Sequence, residues 1–329
     1  MADATIVRDW DERRVTAGAA VAIGEVWQLA DGSAAYYERL AGNTTNPVVA
    51  GSSGDSVVFK SSGQVTVTKA TSIVILDGGR VYWDHSANSA TYKKVSDRDF
   101  YIGRAVGDAA TADASLVVNL NANPPDDIDL SRDAFTTVYT GTQGLNTMGI
   151  FRRGGSHEFF ISSTSEAQKL DMLSLDGFAK TANAIVEFAF RVISDGAGTV
   201  VDVSVGIADD THATDADTIA NSVFMHLDAN NTNINFESDD GTTEVAATDS
   251  TTDYTEGSTL SVRKEVWFDM RDPADIQIYV DGALILPATV FNVNTSSPTW
   301  KLLAHIEKTS AADAYTFALD WLRCRFAEQ

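Results

Sequence analysis

Acidic side chains are the most frequent groups in this sequence that could do chemistry, and some of them form two clusters. Four aspartates lie between positions 209 and 217, and Asp239 and Asp240 are adjacent. Hard cations such as Ca²⁺ need several oxygen ligands at one point. The sequence has neither the spacing of an EF-hand loop nor a nonapeptide repeat, so it favours solvated acidic loops over a calcium site.

The other residue types that support catalysis or cofactor binding are scattered. No two of the five histidines have a metal-ligand spacing such as i, i+4; they are His85, His157, His212, His226 and His305. The single cysteine, Cys324, alternates with Leu322 and Phe326, which predicts a buried small apolar residue. We find no G-x-S-x-G elbow, P-loop or dinucleotide fingerprint. The sequence therefore predicts no catalytic residue, no metal site and no cofactor.

The elements that must position these residues have the period of β-strands. Residues 201–207 place four apolar side chains on one face and Asp, Ser and Gly on the other. Residues 276–280 end at Asp281-Gly282, a turn dipeptide that predicts a hairpin with residues 283–286. In the last strand, residues 315–326, the alternation slips at Trp321-Leu322, as a bulge or a strand end would produce. Residues 166–175 suit either a short helix or a strand. The pattern predicts an all-β chain.

Length and charge divide the chain in two. A chain of 329 residues with 44% apolar residues is long enough for two domains. Residues 1–125 hold 14 acidic and 11 basic side chains, whereas residues 126–329 hold 32 and 13, net charges of −3 and −19. The shift falls near Pro124 and Pro125, which favour a linker. We predict an N-terminal domain over 1–121, a linker over 122–129 and a C-terminal domain over 130–329.

The same properties exclude several classes of function. A net charge of −22 repels a phosphate polyanion, so we expect no nucleic-acid partner. No stretch approaches the roughly 20 apolar residues that span a bilayer, so we expect no membrane association. The first ten residues lack the apolar core of a secretory signal, which predicts synthesis in the cytoplasm.

Four short segments in the first half occur in a recognisable order. They are Gly51-Ser-Ser-Gly-Asp-Ser-Val-Val-Phe59, Leu76-Asp-Gly-Gly-Arg-Val-Tyr-Trp-Asp84, Asp99-Phe-Tyr-Ile-Gly-Arg-Ala-Val106 and Ser115-Leu-Val-Val-Asn-Leu120. This series resembles the capsid decoration (head-stabilising, head-fibre-like) proteins of tailed phages. Gly103 in particular suits a place where one backbone approaches another closely. The resemblance covers about residues 15–121 and implies a small β-barrel.

The resemblance also implies a partner and a location. Such proteins sit on the outer surface of the capsid in the virion, commonly as homotrimers, and clamp neighbouring copies of the major capsid protein. The chain would then be made in the cytoplasm of the host bacterium. The first domain would be the capsid anchor, with an N-terminal arm ordered on binding the shell or a neighbouring subunit. The candidate contact residues in and beside this arm are Ile6, Val7, Trp10, Arg13 and Arg14.

The second half is similar to concanavalin or laminin-G type jelly rolls. Its segments Glu265-Val-Trp-Phe-Asp-Met270, Ile276-Gln-Ile-Tyr-Val-Asp-Gly282 and Phe317-Ala-Leu-Asp-Trp-Leu-Arg-Cys-Arg325 carry this resemblance. Glycoside hydrolases of that superfamily have an E-x-D-x-x-E strand that supplies the two carboxylates they need. Here Glu237-Ser-Asp239 continues Asp-Gly-Thr242, so the last acid is missing and no enzyme is predicted.

Sugar binding without chemistry needs exposed aromatic rings. The candidate platform residues are Tyr254, Trp267 and Trp300, and the competing interpretation is that they belong to the core. We therefore predict a structural virion protein, a capsid cement protein that displays a lectin-like domain. The alternative is a carbohydrate-binding adhesin for host or environmental glycans.

Overall fold

A computed structural model describes residues 12–40, 50–122, 128–129, 135–141 and 157–327. The chain forms two compact units, Met1–Pro124 and Pro125–Gln329. The described residues are β-strands, turns and two short 3-10 turns, Ala216–Thr218 and Leu260–Val262. The prediction of an all-β chain is therefore confirmed. Within the predicted linker, Ile128–Asp129 form a strand paired with the last strand, so this part of the linker belongs to the second unit.

Nine strands make up the described part of the first unit. They are β1 (Glu12–Thr16), β2 (Val26–Gln28), β3 (Ala34–Leu40), β4 (Ser56–Lys60), β5 (Gln64–Thr68), β6 (Arg80–Asp84), β7 (Ser89–Thr91), β8 (Phe100–Val106) and β9 (Ser115–Leu120). They pair as a four-stranded antiparallel sheet, β1-β4-β3-β2, and a five-stranded one, β5-β9-β8-β6-β7.

The five-stranded sheet curls so that its two edges meet. Lys69, just after β5, forms a bridge with Ala90 of β7, the strand at the opposite edge. The Lys69 ammonium is buried and donates to the backbone oxygens of Ala70 and Ile73, 3.0 and 2.7 Å away. Burial lowers the pKa of this lysine, and the carbonyl oxygens compensate for part of the lost hydration.

Gly103 in β8 confirms the prediction of a close backbone approach. Its φ is +149°, and a Cβ atom there would lie 2.0 Å from the backbone oxygen of Asn119 on β9. The register also shifts beside it, between Val81 and Tyr82 of β6. A side chain at position 103 would push the two strands apart, which explains the need for glycine.

Fourteen strands make up the described part of the second unit. They are β10 (Ile128–Asp129), β11 (Phe135–Thr140), β12 (His157–Ile161), β13 (Gln168–Phe178), β14 (Ala184–Ser194), β15 (Val201–Ala208), β16 (Asn221–Asp228), β17 (Asn233–Asp240), β18 (Glu244–Asp253), β19 (Lys264–Asp269), β20 (Gln277–Val280), β21 (Ala283–Ile285), β22 (Trp300–Lys308) and β23 (Tyr315–Phe326).

These strands form two antiparallel sheets packed as a sandwich. The β14 sheet has the order β10-β23-β14-β19-β20-β21, with β12 also paired to β23, and the β15 sheet has the order β11-β13-β22-β15-β16-β17-β18. Alternate side chains of both sheets enter one apolar core, for example Phe188 and Phe268 from the β14 sheet and Val205 and Met225 from the β15 sheet. The sandwich expected from the jelly-roll resemblance is confirmed.

A turn, a bulge and a strand in the second unit correspond to local features of the sequence. Asp281 and Gly282, with φ of +50° and +78°, make the predicted hairpin turn between β20 and β21. In β23 the pairing with β14 skips Asp320, so the slip in alternation is a bulge. Residues 166–175, left open between helix and strand, contribute to β13.

Candidate functional site

A row of polar side chains crosses the outer face of the β15 sheet. The strand register places Asp171 beside His305, His305 beside Ser204, Ser204 beside His226, and His226 beside Asn235. The flanking residues on each strand point into the core, so these five side chains share the opposite face. Five strands thus bring together residues that are far apart in the sequence.

His305 is held at one end of the row by acids on two strands. The imidazole is 1% exposed; its Nδ1 contacts Oδ1 of Asp171, and its Nε2 lies 3.3 Å from Oε2 of Glu307. The ammonium of Lys169 lies 2.8 Å from the other oxygen of Asp171. Burial opposes the charged imidazole, but the contacts with Asp171 and Glu307 outweigh it and raise the pKa of His305.

His226 has a carboxylate at each ring nitrogen. Nδ1 lies 3.2 Å from Oδ1 of Asp217 and 3.3 Å from Oγ of Ser204, and Nε2 lies 2.9 Å from Oδ1 of Asp228. Burial alone would lower the pKa of the ring. The hydrogen bonds with Asp217 and Asp228 outweigh burial and raise the pKa of His226 to about 11.

A short turn after β15 brings Asp217 over the sheet. Asp215 caps the 3-10 turn by accepting a hydrogen bond from the backbone N–H of Asp217 at 3.0 Å. The apolar residues of this turn, Ala216 and Ile219, pack on Leu173, Phe224 and Leu303. This packing fixes the turn, so Asp217 is held against the row although its own side chain is half exposed.

Glu237 of β17 completes the group around Asp217 and His226. Its side chain is buried, and burial together with the negative charge of Asp217 raises the pKa of Glu237 to about 8. Donor oxygens of Asp217 and Glu237 lie within 4.8 Å of each other, which places the two acids in direct electrostatic interaction.

Two sets of side chains around His226 have donor atoms close enough to bind one metal ion. They are Asp202, His226 and Asp228, and Asp217, His226 and Glu237, with the donor atoms of each set within 4.8 Å of one another. The sequence alone did not bring either set together. Their members come from β15, a loop, β16 and β17, and only the sheet register and the return of the loop bring them together.

Four of the aspartates considered for calcium accept hydrogen bonds within loops and turns. Asp209 accepts a hydrogen bond from the side chain of Asn221, and Asp210 accepts one from the N–H of Thr211. Asp239 accepts from the N–H of Gly241, and Asp240 accepts from the backbone of residues 242, 243 and 295. These four carboxylates therefore stabilise separate turns.

The predicted aromatic platform is not exposed. Trp300 is 0% exposed and Tyr254 3% exposed, and both belong to the core of the sandwich. Trp267 lies on the outer face of the β14 sheet, where its ring is 6.0 Å from that of Tyr279 and 8% of its surface is exposed. A buried ring has no free face for a sugar, so the prediction is wrong for Tyr254 and Trp300, and Trp267 offers little surface.

The outer face of the β14 sheet carries buried ion pairs. Glu187 accepts hydrogen bonds from Nε of Arg323 at 2.9 Å and Nε of Arg325 at 2.6 Å. Burial opposes ionisation of Glu187, but the two guanidinium groups outweigh it and hold its pKa far below the usual range. On the same face, Arg191 pairs with Asp320 at 2.6 Å. These ion pairs are structural, since each charge is satisfied by its partner.

The first unit has a groove of about 430 Å³ between β2 and the β6–β7 hairpin. Its lining combines aromatic, polar and charged side chains: Glu25, Val26, Trp27, Gln28, Trp83, His85, Asn88, Arg98 and Phe100. Gln28 and Arg98 are exposed, and Arg98 contacts the ring of His85. Aromatic and arginine side chains of this kind are enriched in protein interfaces.

The predicted capsid-contact residues fall partly on β1. Arg13 is half buried and Arg14 exposed on this strand, at an edge of the four-stranded sheet. Ile6, Val7 and Trp10 lie outside the described residues.

The first unit is similar to a known protein family. Residues 7–120 match the model of the family described as phage cement protein. No curated protein sequence matches the chain. The resemblance to capsid decoration proteins is therefore confirmed for this region.

Carbohydrate-binding and carbohydrate-cleaving domains are among the solved structures similar to the chain. The carbohydrate recognition domain of Emp47p is 14% identical, with a TM-score of 0.42, over 61% of this chain and 94% of that one. A GH16 protein from Bacteroides ovatus, solved with a glucan product, is 7% identical, with a TM-score of 0.40, over 58% and 94%. Identities this low do not assign a function. Among the described residues, no helix has the length and apolar character needed to cross a bilayer.

Proposed function

We propose that this chain is a capsid decoration protein that binds the outer surface of a tailed-phage head through its first unit and stabilises the shell. The observation that supports the proposal is the match of residues 7–120 to the phage cement protein family. The match covers the first compact unit almost completely, so the family's role falls on this unit. The partner is then the major capsid protein.

The groove of the first unit is the surface we assign to this contact. Trp27 and Trp83 give it apolar area, while Gln28 and Arg98 provide exposed hydrogen-bond donors at its edge. An interface with a buried aromatic centre and a polar rim is the usual composition of protein contacts. Arg14, exposed on the edge strand β1, is a second candidate contact.

The second unit is proposed to face the solvent and to have no catalytic activity. The net charge of −19 over residues 126–329 would keep decorated particles apart in solution. A homotrimer would gain affinity for the shell from repeated weak contacts. The adhesin alternative lacks support from the rings named for it, because Tyr254 and Trp300 are buried in the core.

Co-sedimentation with expanded, undecorated heads of the phage that encodes this chain tests the proposal. The full chain should pellet with the heads and saturate at a fixed copy number. Arg98→Glu should weaken binding about 10-fold, because it places an acid at the rim of the groove. Lys94→Glu is the matched control, since it makes the same charge change at another exposed position of the loop between β7 and β8, which also carries Arg98.

Two results would correct the proposal in different ways. If the full chain stays in the supernatant at every concentration, the capsid function is wrong. If Lys94→Glu weakens binding and Arg98→Glu does not, the function stands but the contact lies outside the groove.

A further inference from the structure

We propose that Asp217, His226 and Glu237 bind one divalent transition-metal ion, of the Zn²⁺ class, on the outer face of the β15 sheet. Each ligand comes from a different element: Asp217 from the 3-10 turn, His226 from β16 and Glu237 from β17. The site lies entirely in the second unit. It is therefore independent of the proposed capsid contact.

The spacing of the three side chains suits a metal ion. One donor atom from each lies within 4.8 Å of the others, and Nδ1 of His226 is 3.2 Å from Oδ1 of Asp217. Ligands at about 2.0–2.2 Å from a tetrahedral zinc ion are about 3.4 Å apart. The distance from His226 to Asp217 is already close to this spacing, and Asp217 has room to adjust because its side chain is 44% exposed.

Glu237 supplies the second observation that points to a ligand. The residue is 92% buried, and its Oε1 makes no hydrogen bond. A buried carboxyl oxygen without a partner costs free energy, and native structures rarely leave one unsatisfied. A metal ion coordinated by this carboxylate would satisfy it.

The surroundings of His226 orient it for metal binding. Its Nε2 lies 2.9 Å from Oδ1 of Asp228, which leaves Nδ1 directed toward Asp217. A carboxylate on the far nitrogen of a metal-binding imidazole is the usual support for such a ligand, because it fixes the ring and its tautomer. Asp215 similarly holds the backbone of Asp217.

The donor set decides the class of ion. One imidazole and two carboxylates suit Zn²⁺ and its first-row neighbours, whereas Ca²⁺ takes oxygen ligands only. Three protein ligands leave a position open, and the half-exposed Asp217 marks the side from which water reaches it.

Isothermal titration of the full chain with Zn²⁺ tests the proposal, and Co²⁺ absorption reports the coordination geometry. The wild type should bind one ion, and Co²⁺ should give the intense visible bands of a tetrahedral site. Asp217→Asn should weaken Zn²⁺ binding at least 10-fold. This substitution is at a half-exposed position, and circular dichroism checks that the sandwich is intact. Asp210→Asn, the same change at an exposed position of the loop that carries Asp217, is the control and should leave Zn²⁺ binding unchanged.

Three outcomes would overturn the assignment. The first is the absence of one-to-one Zn²⁺ binding by the folded wild type. The second is that Asp217→Asn binds Zn²⁺ as tightly as the wild type, whereas Asp202→Asn does not bind it. This result would place the ion on the set formed by Asp202, His226 and Asp228. The third is binding of Ca²⁺ at the same site with equal or greater affinity than Zn²⁺.

Discussion

Replacing Glu187 by Gln tests whether the ion pairs on the β14 sheet stabilise the second unit. Glu187 accepts hydrogen bonds from Arg323 and Arg325, and all three side chains are at least nine-tenths buried. Removing one partner of a buried ion pair costs about 3–5 kcal/mol, because the remaining charge is left uncompensated. Two arginines share this glutamate, and both keep some solvent contact, so we expect a loss of about 3 kcal/mol.

The loss should depend on pH with a defined sign. The folded-state pKa of Glu187 lies below its ordinary value of 4.5. The carboxylate therefore contributes stability above about pH 4.5, and this contribution decreases as the pH falls toward the folded-state pKa. The difference between the wild type and Glu187→Gln should be largest at neutral pH and should narrow in acid.

Urea unfolding followed by tryptophan fluorescence measures this difference at pH 7 and pH 3. A loss of 3 kcal/mol corresponds to a decrease in Tm of about 6–12 °C for a unit of this size. Glu244→Gln, at an exposed position of β18, is the matched control and should change stability by less than about 0.5 kcal/mol. A loss below 1 kcal/mol for Glu187→Gln, or a difference that grows in acid, would refute the reasoning.

Two further predictions concern single positions. Gly103→Ala should destabilise the first unit by about 3 kcal/mol in a thermal unfolding scan, because its Cβ would lie 2.0 Å from the backbone oxygen of Asn119. The control is Gly54→Ala, where φ is +92° and no atom lies within 4 Å of the added Cβ; it should cost only about 1 kcal/mol in the same scan. Asp240→Asn should cost about 1–2 kcal/mol at pH 7, since the carboxylate accepts three backbone hydrogen bonds. Burial opposes the low value, but the hydrogen bonds from Thr295, Thr243 and Thr242 lower the pKa of Asp240 to about 2. The cost should therefore shrink between pH 4 and pH 2, and a constant cost over this range would contradict the assignment.

Features that depend on neighbouring residues could be predicted from the sequence. Asp281-Gly282 determines its own turn, because both residues adopt a positive φ that this dipeptide tolerates. The bulge at Asp320 was visible as a slip in alternation, since inward and outward side chains must alternate along a strand. Gly103 was recognisable because a strand glycine marks a close approach of backbone.

Features that depend on strand order could not be predicted in this way. Asp171 and His305 are 134 residues apart and become neighbours only because β13 pairs with β22. Glu237 meets Asp217 because a loop returns over the sheet, and nothing in the spacing of these residues specifies that path.

The sequence also did not determine which aromatic side chains are exposed. Alternation places Trp300 on one face of its strand, but it does not say which face enters the core. In the sandwich, Trp300 lies on the face that enters the core. A predicted binding ring therefore became a core residue.

Electron cryomicroscopy of heads incubated with the full chain tests the central proposal most directly. We expect additional density at fixed lattice positions on the outer surface of the capsid, with the first unit fitted against the major capsid protein. Heads that remain bare at saturating protein concentration, or density in which only the second unit contacts the shell, would contradict the proposal.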